Sequence, residues 1–383
     1  MLIRITNDRY SRREHRNPPW FLTLSILVLA LVATSLQALR AQELTSITAD
    51  NAAELETVFS LPTARVNALL FSADNETLFA ILEGEVLPSA WSVTTDNLVE
   101  QSEFFAESAY LGTSGGRFLH QLRLSDNGQR LMALGSESMI WDVQTGELVG
   151  VITHHAHSGD LTDNGVAYTG DLNGLLAGWM TASGLVPDTR ATALPDGFTF
   201  DPYALLGSAI VLGESIEQVE FISEVGQLFV LTASGRLYRY TPGLTEPIAV
   251  SAEIMPPPLL HAGTGDGLNL THLAVDRASG RVAFTDSNDP PNLYLYDFQG
   301  GGMMATRALE TPVSCLAYSP EDTILVMGDK SLPTSSLYVL DANTAETIAR
   351  IATQERITSC IFNPTGSTIL TGSDNGITMW DIE

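Results

Sequence analysis

The sequence predicts an all-β fold in which one strand meander recurs seven times. The final stretch, residues 360–383, shows the pattern most clearly, with three short apolar runs separated by turns at residues 364–366 and 373–376. Asn375-Gly376 lies between two β-prone runs and favours a tight hairpin, because both residues tolerate positive φ. A meander of three or four strands needs packing partners. We therefore expect the copies to pack against one another.

Each copy is anchored on an apolar residue that precedes a small polar one, and it ends in an aromatic or bulky residue. The anchors are Phe71-Ser72, Leu124-Ser125, Leu161-Thr162, Ile222-Ser223, Val275-Asp276, Tyr318-Ser319 and Phe362-Asn363. The ends are Trp91, Trp141, Trp179, Tyr240, Tyr296, Leu340 and Trp380. Successive ends are 50, 38, 61, 56, 44 and 40 residues apart, so one repeat is maintained with insertions.

Two of these copies carry a recognisable dipeptide. Trp141-Asp142 and Trp380-Asp381 resemble the end of a WD repeat, and FSADN, YSPED and FNPTG resemble the first turn of that family. The resemblance covers residues 46–383 and implies a seven-bladed β-propeller of WD-repeat type. It departs from the family in repeats four to six, which lack the Trp. It also implies structural roles for Trp91, Trp141, Trp179, Trp380, Asp142 and Asp381.

Residues 1–42 have a different character from the repeats. Five arginines within the first 19 residues precede an apolar run from residue 20 to residue 36, and Ala38 and Ala41 follow as candidate cleavage positions. This layout is typical of a secretory signal peptide or an N-terminal membrane-anchor helix. Cleavage and a membrane tether through residues 20–39 both remain open. In either case we expect an exported, extracytoplasmic propeller, either secreted or periplasmic, or anchored in the membrane.

Residues 43–383 form the expected propeller domain, and residues 43–60 are expected to complete it. The last copy supplies three strands, and in the family the segment before the first copy commonly supplies the outermost strand of the last blade. We therefore expect residues 55–60 to pair with residues 376–382, which would remove an exposed sheet edge. A long connection, residues 183–215, is expected to form an outer strand and an elaborated loop.

The charge of the predicted propeller is strongly negative. Residues 1–42 hold six of the 19 basic and two of the 45 acidic residues, which leaves 13 against 43 and a net charge of −30. Such a surface repels nucleic acid and anionic lipid headgroups, so no nucleic-acid partner is expected. It favours basic partners or cations, although solubility alone would also account for it.

Two cysteines lie on the predicted innermost strands of adjacent copies. Cys315 and Cys360 could face each other across the gap between two blades. Both a pair of small buried thiols and a disulfide in an oxidising compartment fit this placement.

A column of polar residues lies four positions before the anchors. Its members are Asn67, His120, His157, Gln218, Thr271, Ser314 and Thr358. The column before it is mostly apolar, with Glu217 as its polar member in the fourth copy. In a propeller this polar column would line one mouth of the central channel. It could bind a polar group there, with His120 and His157 adjacent, or its side chains could satisfy nearby backbone groups.

The histidines offer the main candidate chemistry. His154, His155, His157 and Asp160 form a cluster that could hold a transition metal. The family resemblance instead implies that His154 or His155 belongs to a structural network with Thr169 and Trp179. No catalytic constellation, cofactor motif or complete metal site is predicted.

The sequence thus predicts a non-enzymatic, exported interaction scaffold that binds a protein or peptide on the loop face of the propeller. The alternative is an extracytoplasmic propeller enzyme, or a binder of a small ligand or divalent metal at the channel mouth near His120 and His157.

Overall fold

The structure is a computed structural model that describes most of the predicted propeller. The described residues are 46–94, 97–101, 104–105, 118–152, 154–180, 204–223, 226–233, 236–242, 247–250, 270–276, 279–286, 288–297, 302–321, 323–331 and 335–382. By compactness the chain divides into Met1–Thr45 and Ser46–Glu383, and all described residues belong to the second unit. The predicted signal or anchor at residues 1–42 lies outside them. Among the described residues, no helix is sufficiently long and apolar to cross a membrane.

The described residues contain 28 strands in seven four-stranded antiparallel sheets, as predicted for a seven-bladed propeller. A 3₁₀ turn, Ala52–Glu54, leads into β1 (Leu55–Pro62). Blade 1 contains β2 (Val66–Phe71), β3 (Thr77–Leu82), β4 (Ser89–Thr94) and β5 (Asn97–Glu100). Blade 2 contains β6 (Leu119–Leu124), β7 (Arg130–Gly135), β8 (Ser138–Asp142) and β9 (Leu148–Ile152). Blade 3 contains β10 (Ser158–Leu161), β11 (Ala167–Gly170), β12 (Leu175–Met180) and β13 (Ala204–Val211).

The remaining blades follow the same order. Blade 4 contains β14 (Ile216–Ile222), β15 (Gln227–Thr232), β16 (Leu237–Tyr240) and β17 (Pro247–Val250). Blade 5 contains β18 (Leu270–Asp276), β19 (Arg281–Asp286), β20 (Asn292–Asp297) and β21 (Gly302–Ala308). Blade 6 contains β22 (Val313–Tyr318), β23 (Ile324–Asp329), β24 (Ser336–Asp341) and β25 (Thr347–Ala352). Blade 7 contains β26 (Ile357–Phe362), β27 (Ile369–Ser373) and β28 (Gly376–Ile382), and its fourth strand is β1.

The fourth strand of blade 7 comes from the other end of the propeller unit. β1 is antiparallel to β28, and the register runs from Leu55 opposite Ile382 to Pro62 opposite Gly376. β1 starts at Leu55 and not at residue 43, because residues 46–54 pack against the blades before the strand begins. Ile47 and Ala52 are buried in the cluster between blades 6 and 7. The Ile47 N–H donates to the Gly366 carbonyl at 2.9 Å.

The long connection in blade 3 is described only in part. β13 pairs with β12 from Leu175 opposite Val211 to Met180 opposite Ala204, so an outer strand does lie within residues 183–215. Residues 181–203, where the elaborated loop was predicted, lie outside the described residues.

One end of every blade carries the entry to its first strand and the turn between its second and third strands, because neighbouring strands are antiparallel. The first strands of blades 3 and 4 also run in the same direction. The Val219 and Phe221 N–H groups donate to the Ser158 hydroxyl and the Asp160 carboxylate, at 2.9 and 2.7 Å. We call this common end of the blades the loop face.

Two blade interfaces show how an apolar residue at the start of a first strand packs against the preceding blade. Val66 of blade 1 and Ile216 of blade 4 are fully buried. A Cβ on Gly372 of blade 7 would lie 2.6 Å from Val66 Cγ1, and one on Gly170 of blade 3 would lie 2.4 Å from Ile216 Cγ2. Glycine therefore leaves the space that the next blade fills, and each such buried side chain contributes about 1.5–3 kcal/mol.

A disulfide joins Cys315 in β22 to Cys360 in β26, with the two Cα atoms 5.7 Å apart. The sequence left free thiols and a disulfide open, and the structure has the disulfide. It connects the innermost strands of blades 6 and 7. These residues are 45 positions apart in the chain, so the bond restricts a long loop of the unfolded chain.

Replacing both cysteines, as Cys315→Ala/Cys360→Ala, should lower the free energy of unfolding by about 3–4 kcal/mol, since the unfolded chain regains the entropy of an open loop. Urea denaturation followed by tryptophan fluorescence measures this difference. Reductant should destabilise the wild type and leave the double variant unchanged. Equal stability of the double variant and the oxidised wild type would contradict the role of the bond.

Candidate functional site

The channel mouth on the loop face is built from a bulge that recurs in the first strands. The pairing of first with second strand shifts by one residue between Val66 and Ala68 of blade 1. The same shift follows the first residue of the strand in blades 2, 4, 5, 6 and 7. A bulged residue has no partner opposite it, so its side chain is freed for other contacts.

The residues at this position form what we call the mouth ring. In blade 3 the corresponding residue is His157, which precedes β10 and whose N–H donates to the Gly170 carbonyl at 2.8 Å. The members of the mouth ring are Asn67, His120, His157, Glu217, Thr271, Ser314 and Thr358.

Blade 4 departs from the predicted polar column, which contained Gln218. The bulge lies between Ile216 and Gln218, so Glu217 occupies the mouth ring. β14 is one residue longer than β2, and Phe221, not Ile222, is the equivalent of Phe71. The amide of Gln218 instead donates to the Glu220 carboxylate at 3.2 Å. A one-residue shift of this copy would have placed Ile216 in the apolar column, which was the available sequence signal.

Two of the described mouth-ring side chains bond to the next blade. The Thr358 hydroxyl donates to the Val66 carbonyl at 2.5 Å, which ties blade 7 to blade 1. Nε2 of His120 lies 2.8 Å from the His157 carbonyl. Ser314 donates to the Asp329 carbonyl of its own blade at 3.4 Å. Asn67 is half-buried, and the Thr271 side chain lies outside the described residues. The backbone-satisfying interpretation therefore fits much of the ring.

The histidine side of the mouth has a distinct geometry. The imidazoles of His120 and His157 stack with centroids 5.8 Å apart, and His157 Nε2 lies 3.5 Å from a Glu217 carboxylate oxygen. The enclosing mouth lowers the pKa of His120 by desolvation, although part of its side chain is exposed. The charges of His157 and His155 lower it further, and the contact with the His157 carbonyl opposes them. Two imidazoles and a carboxylate thus converge at blades 2 to 4.

His154 belongs to a different group of contacts. Its Nε2 lies 3.4 Å from an Asp171 oxygen, and its ring stacks on Trp179 at 5.9 Å. Trp179 Nε1 donates to the Thr169 hydroxyl at 2.7 Å. This is the neighbourhood that the family resemblance implied. Among the described residues, no group of three or more His, Cys, Asp or Glu side chains is arranged to hold a metal ion.

The other residues with expected structural roles lie in the blade cores or at turns. Trp91, Trp141 and Trp380 are buried, and Trp380 Nε1 donates to the Thr371 hydroxyl at 2.9 Å. Asp142 accepts the Gln144 and Thr145 N–H groups, both at 3.0 Å, at the turn after β8. Asp381 accepts the N–H of Ile382 at 2.7 Å in β28.

Beneath the mouth, Arg123 connects three blades, a feature that the sequence analysis missed. From β6 in blade 2, Nε of Arg123 donates to the Gly159 carbonyl of blade 3 at 3.2 Å. Nη2 reaches Glu220 of blade 4 at 3.3 Å, and Glu220 is almost fully buried. Charged residues on mostly apolar first strands were the sequence signal for this chain of contacts.

His272, next to Thr271 in β18, is a largely buried histidine. Among described residues, its Nδ1 has no hydrogen-bond partner. Burial lowers the pKa of His272 from its ordinary 6.5 to about 4, and the positive charge of Lys330 adds to the effect. The backbone of Ser314 opposes this shift. The folded protein therefore favours a neutral imidazole at this position.

A comparison with known protein families gives a match over residues 347–381, to the family "WD domain, G-beta repeat". The matched segment spans β25 and the three strands of blade 7 that follow it. No curated protein matches the chain significantly.

Substituting Arg123→Met should lower the free energy of unfolding by about 3 kcal/mol, because a buried carboxylate at Glu220 loses its guanidinium. The matched control is Arg130→Met, which breaks the half-exposed pair with Asp142 at 2.9 Å and should cost less than about 1 kcal/mol. Urea unfolding measures both. Equal costs for the two variants would show that the Arg123 contacts add nothing to an ordinary surface pair.

Acidification should destabilise the protein through His272. Since the folded pKa is lowered, the unfolded chain binds more protons between pH 6.5 and about 4, and stability falls as pH falls. From about pH 7 to pH 5, this residue should account for about 2 kcal/mol. The His272→Gln variant should therefore lose less stability than the wild type over that interval in urea titrations. Parallel pH profiles of the two proteins would contradict the assignment.

Proposed function

We propose that this seven-bladed propeller, which carries a WD-repeat match at residues 347–381, is an exported, non-enzymatic interaction scaffold that binds a protein or peptide partner on its loop face. WD-repeat propellers commonly mediate protein interactions. The loop face as binding surface, the extracytoplasmic location and the absence of catalysis are proposed in addition to this common role. Fold alone is a weak warrant for function, so the surface must support it.

The observation that carries the proposal is the distribution of exposed apolar side chains. Among the described residues, the large exposed hydrophobic residues are Val58, Val86, Val99, Phe118 and Leu172. Val86, Phe118 and Leu172 lie on the loop face, whereas Val58 and Val99 lie singly on outer strands. Binding energy in protein interfaces comes mainly from a few such anchors. The loop face is thus the better supported docking surface.

Two features support the extracytoplasmic location. The arginine-rich start and the apolar run at residues 20–36 are typical of a signal peptide or anchor. The disulfide between Cys315 and Cys360 is typical of a protein that matures in an oxidising compartment. Residues 20–39 would tether the propeller to the membrane if they are retained.

The histidine side of the mouth supports a second candidate function, the binding of a small polar ligand, in an enzyme or a binding protein. The supporting observation is the convergence of His120, His157 and Glu217. A thermal-shift screen with small anionic and polar compounds tests it. A stabilisation that is present in the wild type and absent in His157→Gln would favour this candidate.

Affinity capture from an envelope extract, followed by mass spectrometry, tests the scaffold proposal. We expect the wild type to retain a partner that Phe118→Ser/Leu172→Ser loses, because the double variant removes two loop-face anchors. The matched control, Val58→Ser/Val99→Ser, removes two exposed apolar side chains from outer strands and should retain the partner. Recovery of nothing beyond an unrelated propeller, or equal recovery by both double variants, would count against the proposal.

A further inference from the structure

The loop face of blades 1 to 4 is acidic. The entries and turns of blades 1 to 4 carry mainly carboxylates, and Arg236 pairs with one of them, Glu214, at 3.8 Å. The described acidic residues of this half are Glu83, Glu85, Glu137, Asp171, Glu214 and Glu217. Glu83 and Glu85 are fully solvent-facing on the turn between β3 and β4. This half of the face therefore has a negative potential.

Around the junction of blades 6, 7 and 1, the loop face carries charges of both signs, and Glu355 bonds to Ser373 and Asn375 there. Arg65 and Arg356 contact the two oxygens of Asp374 at 3.4 and 3.5 Å. Lys330 follows β23 in blade 6, and desolvation and the charge of Arg356 lower its pKa. Asp374 thus lies between two guanidinium groups, and the cations of this region are balanced by nearby carboxylates.

The exposed apolar side chains of the loop face lie on the acidic half. Phe118 is 79% exposed, Leu172 52% and Val86 43%. Leu87 and Leu119, the chain neighbours of Val86 and Phe118, pack in the same cluster between blades 1 and 2. Val86 and Phe118 therefore emerge above one blade interface. Leu172 lies on the turn after β11 in blade 3.

We propose that the occupant of this surface is an extended basic peptide segment with a large apolar side chain, which docks over blades 1 to 3. The inference rests on the proposed scaffold function and specifies its partner. We call the surface the acidic-apolar sector, and it comprises Glu83, Glu85, Val86, Phe118, Glu137 and Leu172. The apolar side chain of the ligand would contact Phe118, and its basic residues would face the carboxylates.

Charge complementarity is the reason for this occupant. The net charge of −30 for residues 43–383 attracts a basic segment from a distance and raises its association rate. Because the carboxylates of Glu83 and Glu85 are exposed, their contribution weakens at high ionic strength. The contribution of the apolar contact does not weaken at high ionic strength.

The test uses two short fluorescent peptides that share a central Phe-Leu pair, one flanked by lysines and the other by glutamates. Their binding to the full-length protein is measured by fluorescence anisotropy at low and high salt. We expect the lysine peptide to bind and the glutamate peptide not to bind. Phe118→Ser should weaken binding about tenfold, as expected for loss of one anchor. Glu83→Lys/Glu85→Lys should weaken it by a similar factor and reduce its salt dependence.

Matched controls separate a site from a general charge effect. Glu56→Lys/Glu100→Lys changes the net charge equally, but on exposed positions of the outer strands β1 and β5. Val99→Ser removes an exposed apolar side chain from β5. Both controls should leave the affinity within about twofold of the wild type. All altered side chains are exposed, and circular dichroism confirms folding.

Three results would overturn the inference. These are binding of the glutamate peptide with equal affinity, an equal loss in Glu56→Lys/Glu100→Lys, and no binding of the lysine peptide. If the lysine peptide fails while affinity capture still yields a partner that depends on Phe118, the partner chemistry is wrong and the scaffold function stands. If no partner depends on the loop face, the scaffold proposal itself fails.

Discussion

The packing of each blade's first apolar residue against the blade before it is the interaction on which the rest of the structure depends. Val66 against Gly372 and Ile216 against Gly170 show why the contact is demanding, because a Cβ on either glycine would overlap the next blade. A propeller blade has little core of its own and is stabilised by its neighbours. The closing strand β1 and the disulfide strengthen the ring where its two chain ends meet.

This packing also determines where the polar residues lie. A buried apolar residue followed at once by a bulge places the next side chain at the channel mouth, in blade after blade. At that position Thr358 and His120 bond to backbone carbonyls of the adjacent blade, so part of the mouth ring shapes the opening. The exposed anchors lie farther out, on the turns and entries. A protein partner would therefore be recognised mainly by loops whose positions the blades hold rigid.

The sequence predicted the number of blades and the position of each from local patterns alone. Apolar runs, turn residues and terminal aromatic or bulky residues recur with each blade. Seven copies that agree in this way indicate one repeating strand meander. The same alignment misplaced Gln218, because β14 is one residue longer than β2 and the copy was anchored on Ile222 in place of Phe221. Whether Glu217 or Gln218 lies at the channel mouth depends on how β14 pairs with β15, and an alignment of the copies does not contain that pairing.

The sequence by itself determined the all-β class, the seven repeats and the strongly acidic composition, since these follow from local propensity and charge, and the family resemblance implied the pairing partners of the closing strand. Only the tertiary structure decided that Cys315 and Cys360 are bonded, that Arg123 reaches Glu220 across blade 3, and that exposed apolar side chains of blades 1 to 3 share the loop face. Those features join residues from different blades. Their distances depend on how the blades pack around the channel, which no local pattern of residues encodes.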